Sequence, residues 1–476
     1  PAKMAQEQVK PTHRIDGPTA QTDYAGSQPK TNPEEIRLVR KLDTWMMPVL
    51  WLMYFFNNID RSSLAQARLN HLERDLNMQG TNFNTAVSIL LVGYILMQVP
   101  SNMLLTRIQP RTYLATVMII WSVLSACTGL VRSYEALIAC RFLLGFVEAP
   151  FWPGAVYLLA MFYTRKELAS RIAIMYSATL TGLGFANLTA VGIFSGLDEK
   201  RGIEGWRWLY FILGTASALT AVSSYCLLPN THETTWWLSE RERRLEGERM
   251  RRDRLDEARD TESVWIAVRH AVSDKRTWLF CALAHIAQTP LSFNYFLPTV
   301  ISALGFSNTK ALLLACPPYL CAGLAAIAIA WSSGRFHERT WHLTGCLSVS
   351  GIGFVAAAAT LSPAGRYATC FIFPVGGYSA TSLIFSWGAT TLSQSPEKRA
   401  VLVAMLNVSS SIGAIYGPYL WPSWNGPRYA IGFGASAASC LTAAVLCWVM
   451  RVLLKRENEQ IRRVVGAETV VTLYEY

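Results

Sequence analysis

Blocks of about 20 apolar residues recur along this chain, each long enough to cross a hydrocarbon core as a helix. Roughly twelve such blocks can be counted by that length criterion. They run approximately over 43–68, 81–105, 112–131, 135–162, 168–195, 206–228, 277–303, 309–332, 341–361, 366–390, 398–421 and 428–450. In lipid the backbone must satisfy its own hydrogen bonds, which leaves helices as the structure for blocks of this length. The expected fold class is an all-α membrane protein of twelve transmembrane helices in two six-helix bundles. Composition agrees: 16% of residues are charged and 51% are hydrophobic, against about 25% charged in soluble domains.

The net charge of +11 fits a membrane address better than nucleic acid, because the cations gather in alternate loops. Arg37, Arg40 and Lys41; Arg107 and Arg111; Arg165 and Lys166; the 241–276 segment; Arg335 and Arg339; Lys398 and Arg399; and Arg451, Lys455 and Arg456 all fall on one side if the helices alternate. By the positive-inside rule that side is cytoplasmic and holds both termini. An integral membrane protein of the plasma membrane, working as a monomer, is expected. Residues 1–33 are polar and show no secretory signal pattern. The expected organisation is a disordered tail over 1–40, a first bundle over 41–228, a cytoplasmic loop over 229–276, a second bundle over 277–451 and a tail over 452–476. Ser239 and Glu242 have the spacing of a capping box at the start of a loop helix of mixed charge. The fifth and eleventh spans each follow a charged turn and are rich in Ala, Ser and Gly, which suggests an internal repeat with the site between its halves. The ten cysteines show neither CxxC pairs nor metal-ligand spacing and read as small core residues.

Four ionisable residues stand inside these spans: Asp60, Arg61, Arg141 and Glu148. A charge at the centre of a membrane helix costs about 3 kcal/mol even on the gentlest scale. Two acids and two bases kept at that cost should face each other or a wet cavity. Arg141 and Glu148 are seven residues apart, close to two helical turns, so they share one face. Asp60 and Arg61 are adjacent, and their side chains diverge by about 100°. With both acids ionised the set is neutral. Protonating one acid frees an arginine for an anion, and the planar guanidinium fork suits a carboxylate. Tyr94, Gln98 and Asn102 are spaced by four and share a face of the second span. Asn187, His285, Gln288, Asn294, Tyr295, Tyr378 and Asn407 are further polar points in apolar surroundings. Each can bond a substrate or bridge helices. Trp45, Trp208 and Trp421 fall near span ends, where an interfacial aromatic belt is expected.

Several stretches taken together resemble the major facilitator superfamily, and within it the fungal anion:cation symporters of the allantoate-permease type. They are Asn58-Ile-Asp60-Arg61-Ser62, Tyr94-Ile-Leu-Met-Gln98-Val-Pro100-Ser101-Asn102, Arg141-Phe-Leu-Leu-Gly145-Phe-Val-Glu148-Ala149-Pro150-Phe-Trp-Pro153-Gly154, Gly205-Trp206-Arg207-Trp208-Leu209-Tyr210, and Trp237-Leu238-Ser239-Glu240-Arg241. The resemblance covers about residues 40–460. The chain departs from the pattern at Gln109, Gly334 and Pro150, where Gly, Asp and Gly are usual. The resemblance implies proton-coupled symport of a small organic anion by alternating access, with Asp60 and Glu148 in proton coupling. It implies that Arg61 and Arg141 contact those acids and the substrate. Tyr94, Gln98, Asn102 and Asn407 complete the expected substrate site. Carboxylates, vitamins and ureides are the substrate classes the resemblance suggests. No cofactor or metal is expected.

Two other functions compete. Proton-driven efflux of a secondary metabolite is disfavoured because the fifth span, Gly182-Leu-Gly184-Phe-Ala-Asn187-Leu-Thr-Ala-Val-Gly192, lacks the Gly-Pro pair of drug antiporters. A nutrient sensor that binds without transporting usually adds a long signalling tail or loop, and the tails expected here, about 40 and 25 residues by the span estimate, rank that reading low. An enzyme is excluded from the expectation: no P-loop, ligand cluster or nucleophile elbow occurs, and the Gly-rich stretches lie within apolar spans.

Overall fold

A computed structural model describes residues 33–465, apart from residues 106–107, 258–263, 337, 361 and 393–395. The expected tails therefore fall mostly outside the described residues. The first six passes are α1 (Pro33–Leu69), α2 (Asn82–Leu105), α3 (Pro110–Thr128), α4 (Tyr134–Glu148) continued by α5 (Phe151–Phe162), α6 (Arg165–Leu197) and α7 (Gly205–Leu227). The central segment carries α8 (Glu240–Glu257) and α9 (Val264–Ser273). The second six are α10 (Lys275–Gln288) continued through a 3-10 turn to α11 (Leu297–Ser302), α12 (Asn308–Phe336), α13 (Thr340–Ala359), α14 (Pro363–Thr391), α15 (Pro396–Tyr416) and α16 (Ala430–Val465). The two halves together make twelve passes, all helical.

Nine of the described helical stretches are apolar enough over their length to span a bilayer, and α2 qualifies only over Asn82–Gln98. The other exceptions have local causes. Helix α1 carries Asp60 and Arg61 in its apolar part. The seventh pass is interrupted by the buried 3-10 turn Thr289–Tyr295, with Pro290 at its start and Pro298 at the start of α11. A proline removes a donor and crowds the preceding turn, and here the pass breaks, although Pro48, Pro317, Pro318 and Pro374 lie inside unbroken helices. The fourth pass breaks for the same reason at Pro150, which leaves Glu148 as the last residue of α4, in mid-crossing. Helix α1 begins at Pro33, before the apolar block, and α16 continues to Val465.

Each half is clamped at the termini side by an ion pair between its fifth and first helices. In the first half Arg171 of α6 donates to Asp43 of α1 at 3.0 and 2.8 Å. In the second half Lys398 of α15 donates to Asp274, just before α10, at 2.8 Å. In both halves the cation comes from the fifth pass and the acid from the first, or from the residue just before it, as an internal repeat would have it.

The halves meet along α6 and α12 and along α2 and α15. Among the described residues, the hydrogen bonds between them gather at the end away from the termini. Buried Asn84 of α2 donates to the Pro418 carbonyl at 2.5 Å and the Trp421 carbonyl at 3.4 Å. Ser88 donates to the Ile415 carbonyl at 2.6 Å, and Asn308 donates to the Leu69 carbonyl at 2.6 Å. Arg68 donates to Ser423 at 3.0 Å while its guanidinium lies over the Phe83 ring. Trp421 belongs to this plug, not to an interfacial belt: it is buried, stacks on Phe296 and donates to Ser292. All ten cysteines are free; Cys226 and Cys321 are exposed and do not belong to the core.

In the central segment, Ser239 and Glu242 form the expected capping box, with bonds of 2.8 and 3.3 Å. Helix α8 is fastened to the first half. Lys41 donates to Glu242 at 2.8 Å. Buried Arg249 reaches Glu167 at 3.0 Å, Glu246 at 3.0 Å and the Phe162 carbonyl at 2.6 Å. Helix α9 packs against α15 and α10 of the second half.

Candidate functional site

Helices α2 and α4 approach closely because Gly145 has no side chain: a Cβ there would collide with the Leu90 carbonyl. That contact sets the second helix face, with Tyr94, beside the helix that carries Arg141 and Glu148. Helix α1 packs alongside and supplies Asp60 and Arg61.

The four charges form one pair and two singletons. Arg61 Nε donates to Glu148 Oε2 at 2.5 Å, joining α1 to the end of α4. The guanidinium lies 4.6 Å from the centroid of the Tyr94 ring, a cation–π contact. The Arg61 side chain keeps 23% of its surface accessible, whereas Glu148 keeps none. Glu148 Oε1 is buried without a partner. Arg141 is buried and donates through Nη2 to the Tyr210 hydroxyl at 2.6 Å, while its Nε has no partner. Asp60 is buried and accepts from Ser125 of α3 at 3.0 Å and from Ser217 of α7 at 3.2 Å. Among the described residues neither Asp60 nor Arg141 has an ion pair within 4.0 Å. The adjacent residues of α1 thus serve different walls. Asp60 turns toward α3 and α7, and Arg61 turns toward α2 and α4.

A cation tied to a neutral phenol and a carboxylate tied to two hydroxyls are held in place without being neutralised by direct contact. A carboxylate with one engaged oxygen and one idle oxygen has room for a proton. Buried charges held this way are costly in a membrane and usually mark a pathway.

The second half contributes neutral groups. Tyr295, in the turn that breaks the seventh pass, lies within electrostatic range of Arg61, Arg141 and Glu148. Tyr319 donates to the Asn294 carbonyl at 3.3 Å and its ring meets that of Tyr378 at 6.5 Å. The Tyr378 hydroxyl and Asn294 Oδ1 are buried without partners. Gln98 is buried, and among the described residues its side chain makes no hydrogen bond. Asn102 lies on α2, but its side chain falls outside what the structure describes. Asn407 lies half-buried on α15, and no described contact links it to the charges.

Other polar residues bridge helices. Asn187 accepts from Gln66 at 3.1 Å, tying α6 to α1. His285 contacts the Ser409 carbonyl at 3.0 Å and the Tyr416 hydroxyl at 3.1 Å, tying α10 to α15. Tyr210, Ser125 and Ser217 were not legible as site residues. Tyr210 was in view as part of Gly205-Trp206-Arg207-Trp208-Leu209-Tyr210. Its position on the face toward α4 was the missing signal.

The Major Facilitator Superfamily profile matches residues 50–418. An uncharacterized transporter of Schizosaccharomyces pombe is 28% identical over 457 residues, covering 94% of this chain and 89% of that protein. The MFS-type transporter efuF of Hormonema carpetanum is 32% identical over 397 residues, covering 82% of this chain and 79% of that protein. The major facilitator-type transporter hxnP of Emericella nidulans is 27% identical over 448 residues, covering 91% and 90%. Among solved structures, a bacterial homologue of the human lysosomal transporter Spinster, inward-facing and occupied, superposes with a TM-score of 0.69 at 17% identity over 90% of this chain and 99% of that one. The Escherichia coli xylose transporter XylE gives a TM-score of 0.64 at 15% identity over 85% and 98%.

Proposed function

The chain belongs to the Major Facilitator Superfamily and is a membrane transporter, and from that premise we propose that it takes up a small organic anion together with a proton. The observation that carries this is the Arg61–Glu148 pair beside the unneutralised Arg141. The charge count supplies the coupling. With Glu148 ionised and no substrate, two cations face two anions and the site is neutral. With Glu148 protonated and a monoanion bound between Arg61 and Arg141, it is neutral again. A proton alone leaves one excess positive charge, and an anion alone leaves one excess negative charge. Either imbalance costs about 3 kcal/mol in mid-membrane, on the order of a hundredfold in population. The two neutral states are therefore the ones that cross, so proton and anion move together.

Glu148 is the proton site in this reading, because its idle Oε1 accepts the proton while Oε2 releases Arg61. Asp60, held by Ser125 and Ser217, is the second acid of the coupled set and supplies the counter-charge when Glu148 takes the proton. Tyr94, stacked under Arg61, and Gln98 line the anion's path, with Asn102 and Asn407 further along the pathway. The two rocking bodies are residues 41–228 and 277–451, joined by the loop 229–276. We place both termini in the cytoplasm of a plasma-membrane monomer, on the side where Lys and Arg accumulate. The plug around Asn84 and Trp421 is then the outer gate, closed.

The test is uptake of labelled carboxylates, vitamins and ureides into cells lacking related permeases, at acidic and neutral pH, with and without an uncoupler. Acid-stimulated, uncoupler-sensitive accumulation that Glu148→Gln abolishes is the expected result. Accumulation below that of empty cells, restored by the uncoupler, would instead establish efflux.

A further inference from the structure

Helix α9 presents its apolar flank to the outside of the protein. Its buried side is narrow: Ala267 and Ala271, one turn apart, lie flush against the second half, and their small size lets the helix sit close to α15. The remaining surface is open. Trp265 is 82% exposed, and Ile266 and Val272 are nearly half exposed. Trp265, Val268 and Val272 recur at i, i+3 and i+7 and form one stripe. Arg269 borders the stripe and is exposed, as is Lys275 just beyond the helix. Among the described residues neither cation has an ion pair. Asp274, which lies beside Lys275, is already engaged by Arg276 at 2.7 Å and Lys398 at 2.8 Å.

The level of this helix is fixed by its neighbour. Helix α10 starts at Lys275, and Trp278, one turn into the seventh pass, is 55% exposed. Trp278 Nε1 donates to the Val272 carbonyl at 2.8 Å. The last turn of α9 is therefore level with an exposed tryptophan in the first turn of the seventh pass. Tryptophan and tyrosine favour the membrane boundary, and helices with an apolar stripe edged by cations lie in it.

We propose that α9 is an interfacial anchor that lays Trp265, Val268 and Val272 into the leaflet on the termini side and pairs Arg269 and Lys275 with anionic lipid headgroups. Helix α8 is fastened to the first half through Arg249. The anchor then holds the other end of the linking segment at the bilayer surface beside the second half.

The test uses the full chain in nanodiscs, which leave both faces accessible. Exposed Cys226 and Cys321 are replaced by serine, and an environment-sensitive fluorophore is placed at Trp265→Cys. A second variant carries it at the exposed Arg251→Cys on α8 as a water-facing reference. In nanodiscs with phosphatidylserine the 265 probe should be blue-shifted and quenched at least threefold more than the 251 probe by lipids brominated near the headgroup. Arg269→Glu with Lys275→Glu should reduce that quenching toward the value in neutral phosphatidylcholine. Emission at 265 matching 251, with no bromine quenching, would overturn the anchor. Quenching unaltered by either lipid charge or the two reversals would overturn the headgroup pairing.

Discussion

Replacing Asn84 with alanine should loosen the outer gate without touching the charges. Asn84 is fully buried, and its amide spans the halves to the Pro418 carbonyl at 2.5 Å and the Trp421 carbonyl at 3.4 Å. The second contact is long and contributes little. The Pro418 carbonyl keeps one donor after the change, since the Trp421 backbone N–H also reaches it at 3.1 Å. The loss is therefore one good buried hydrogen bond, about 1–1.5 kcal/mol. It applies only when the gate is shut, because in the open state water takes each place. The ratio of open to shut should rise about fivefold to tenfold. Spin labels on Thr81→Cys and Trp424→Cys, both exposed and on opposite halves, report the gap by electron–electron distance. The variant should enlarge the long-distance population by that factor. An unchanged distribution would show that Asn84 does not hold the gate.

Tyr210→Phe removes the hydroxyl that holds Arg141 Nη2 at 2.6 Å; KM for substrate should rise about tenfold and stability should fall by about 1–3 kcal/mol, because a buried guanidinium loses its partner, read from uptake and thermal unfolding. Arg249→Ala removes a buried guanidinium bonded to Glu167, Glu246 and the Phe162 carbonyl, so thermal stability in detergent should fall by about 3 kcal/mol, while Arg244→Ala on the exposed face of α8 should change it by under about 0.5 kcal/mol. Burial raises the Asp274 carboxyl, but bonds from Arg276 and Lys398 outweigh it and hold the group down to about 2, from 3.8. A depressed carboxyl stabilises the folded state above its unfolded value and loses that contribution as pH falls through the folded one. The melting-temperature advantage of the wild type over Asp274→Asn should be complete above about pH 4 and vanish near pH 2.

Much of the fold was legible because bilayer thickness imposes a length on every span. Even the passes that fall short, α1 and α10–α11, showed as apolar blocks with charges or prolines in them. The start of α1 at Pro33 was not legible. Residues 33–42 are polar enough to read as tail, yet the helix is held there by α8, through Arg241 to Glu34 and Lys41 to Glu242. The four charges stood out because lipid makes them costly. Their partners did not, since spacing gives the face of a helix and not which neighbour it meets. Asp60 and Arg61 show this: adjacency predicted divergence, but only packing decided that serines of α3 and α7 receive the acid while Glu148 receives the base. Trp421 misled for a related reason. A tryptophan near a span end fits an interfacial belt, but the end of α15 meets the other half and buries it.

The coupling role of Glu148 is tested most directly in proteoliposomes, by comparing substrate exchange with proton-driven accumulation in the wild type and Glu148→Gln. The amide mimics the protonated acid, so the loaded neutral state still forms and still crosses, while the empty carrier keeps an excess positive charge and cannot return. Exchange of labelled for unlabelled substrate should persist within about twofold, and accumulation driven by an inward proton gradient should fall at least a hundredfold. Undiminished gradient-driven accumulation by Glu148→Gln would contradict the account.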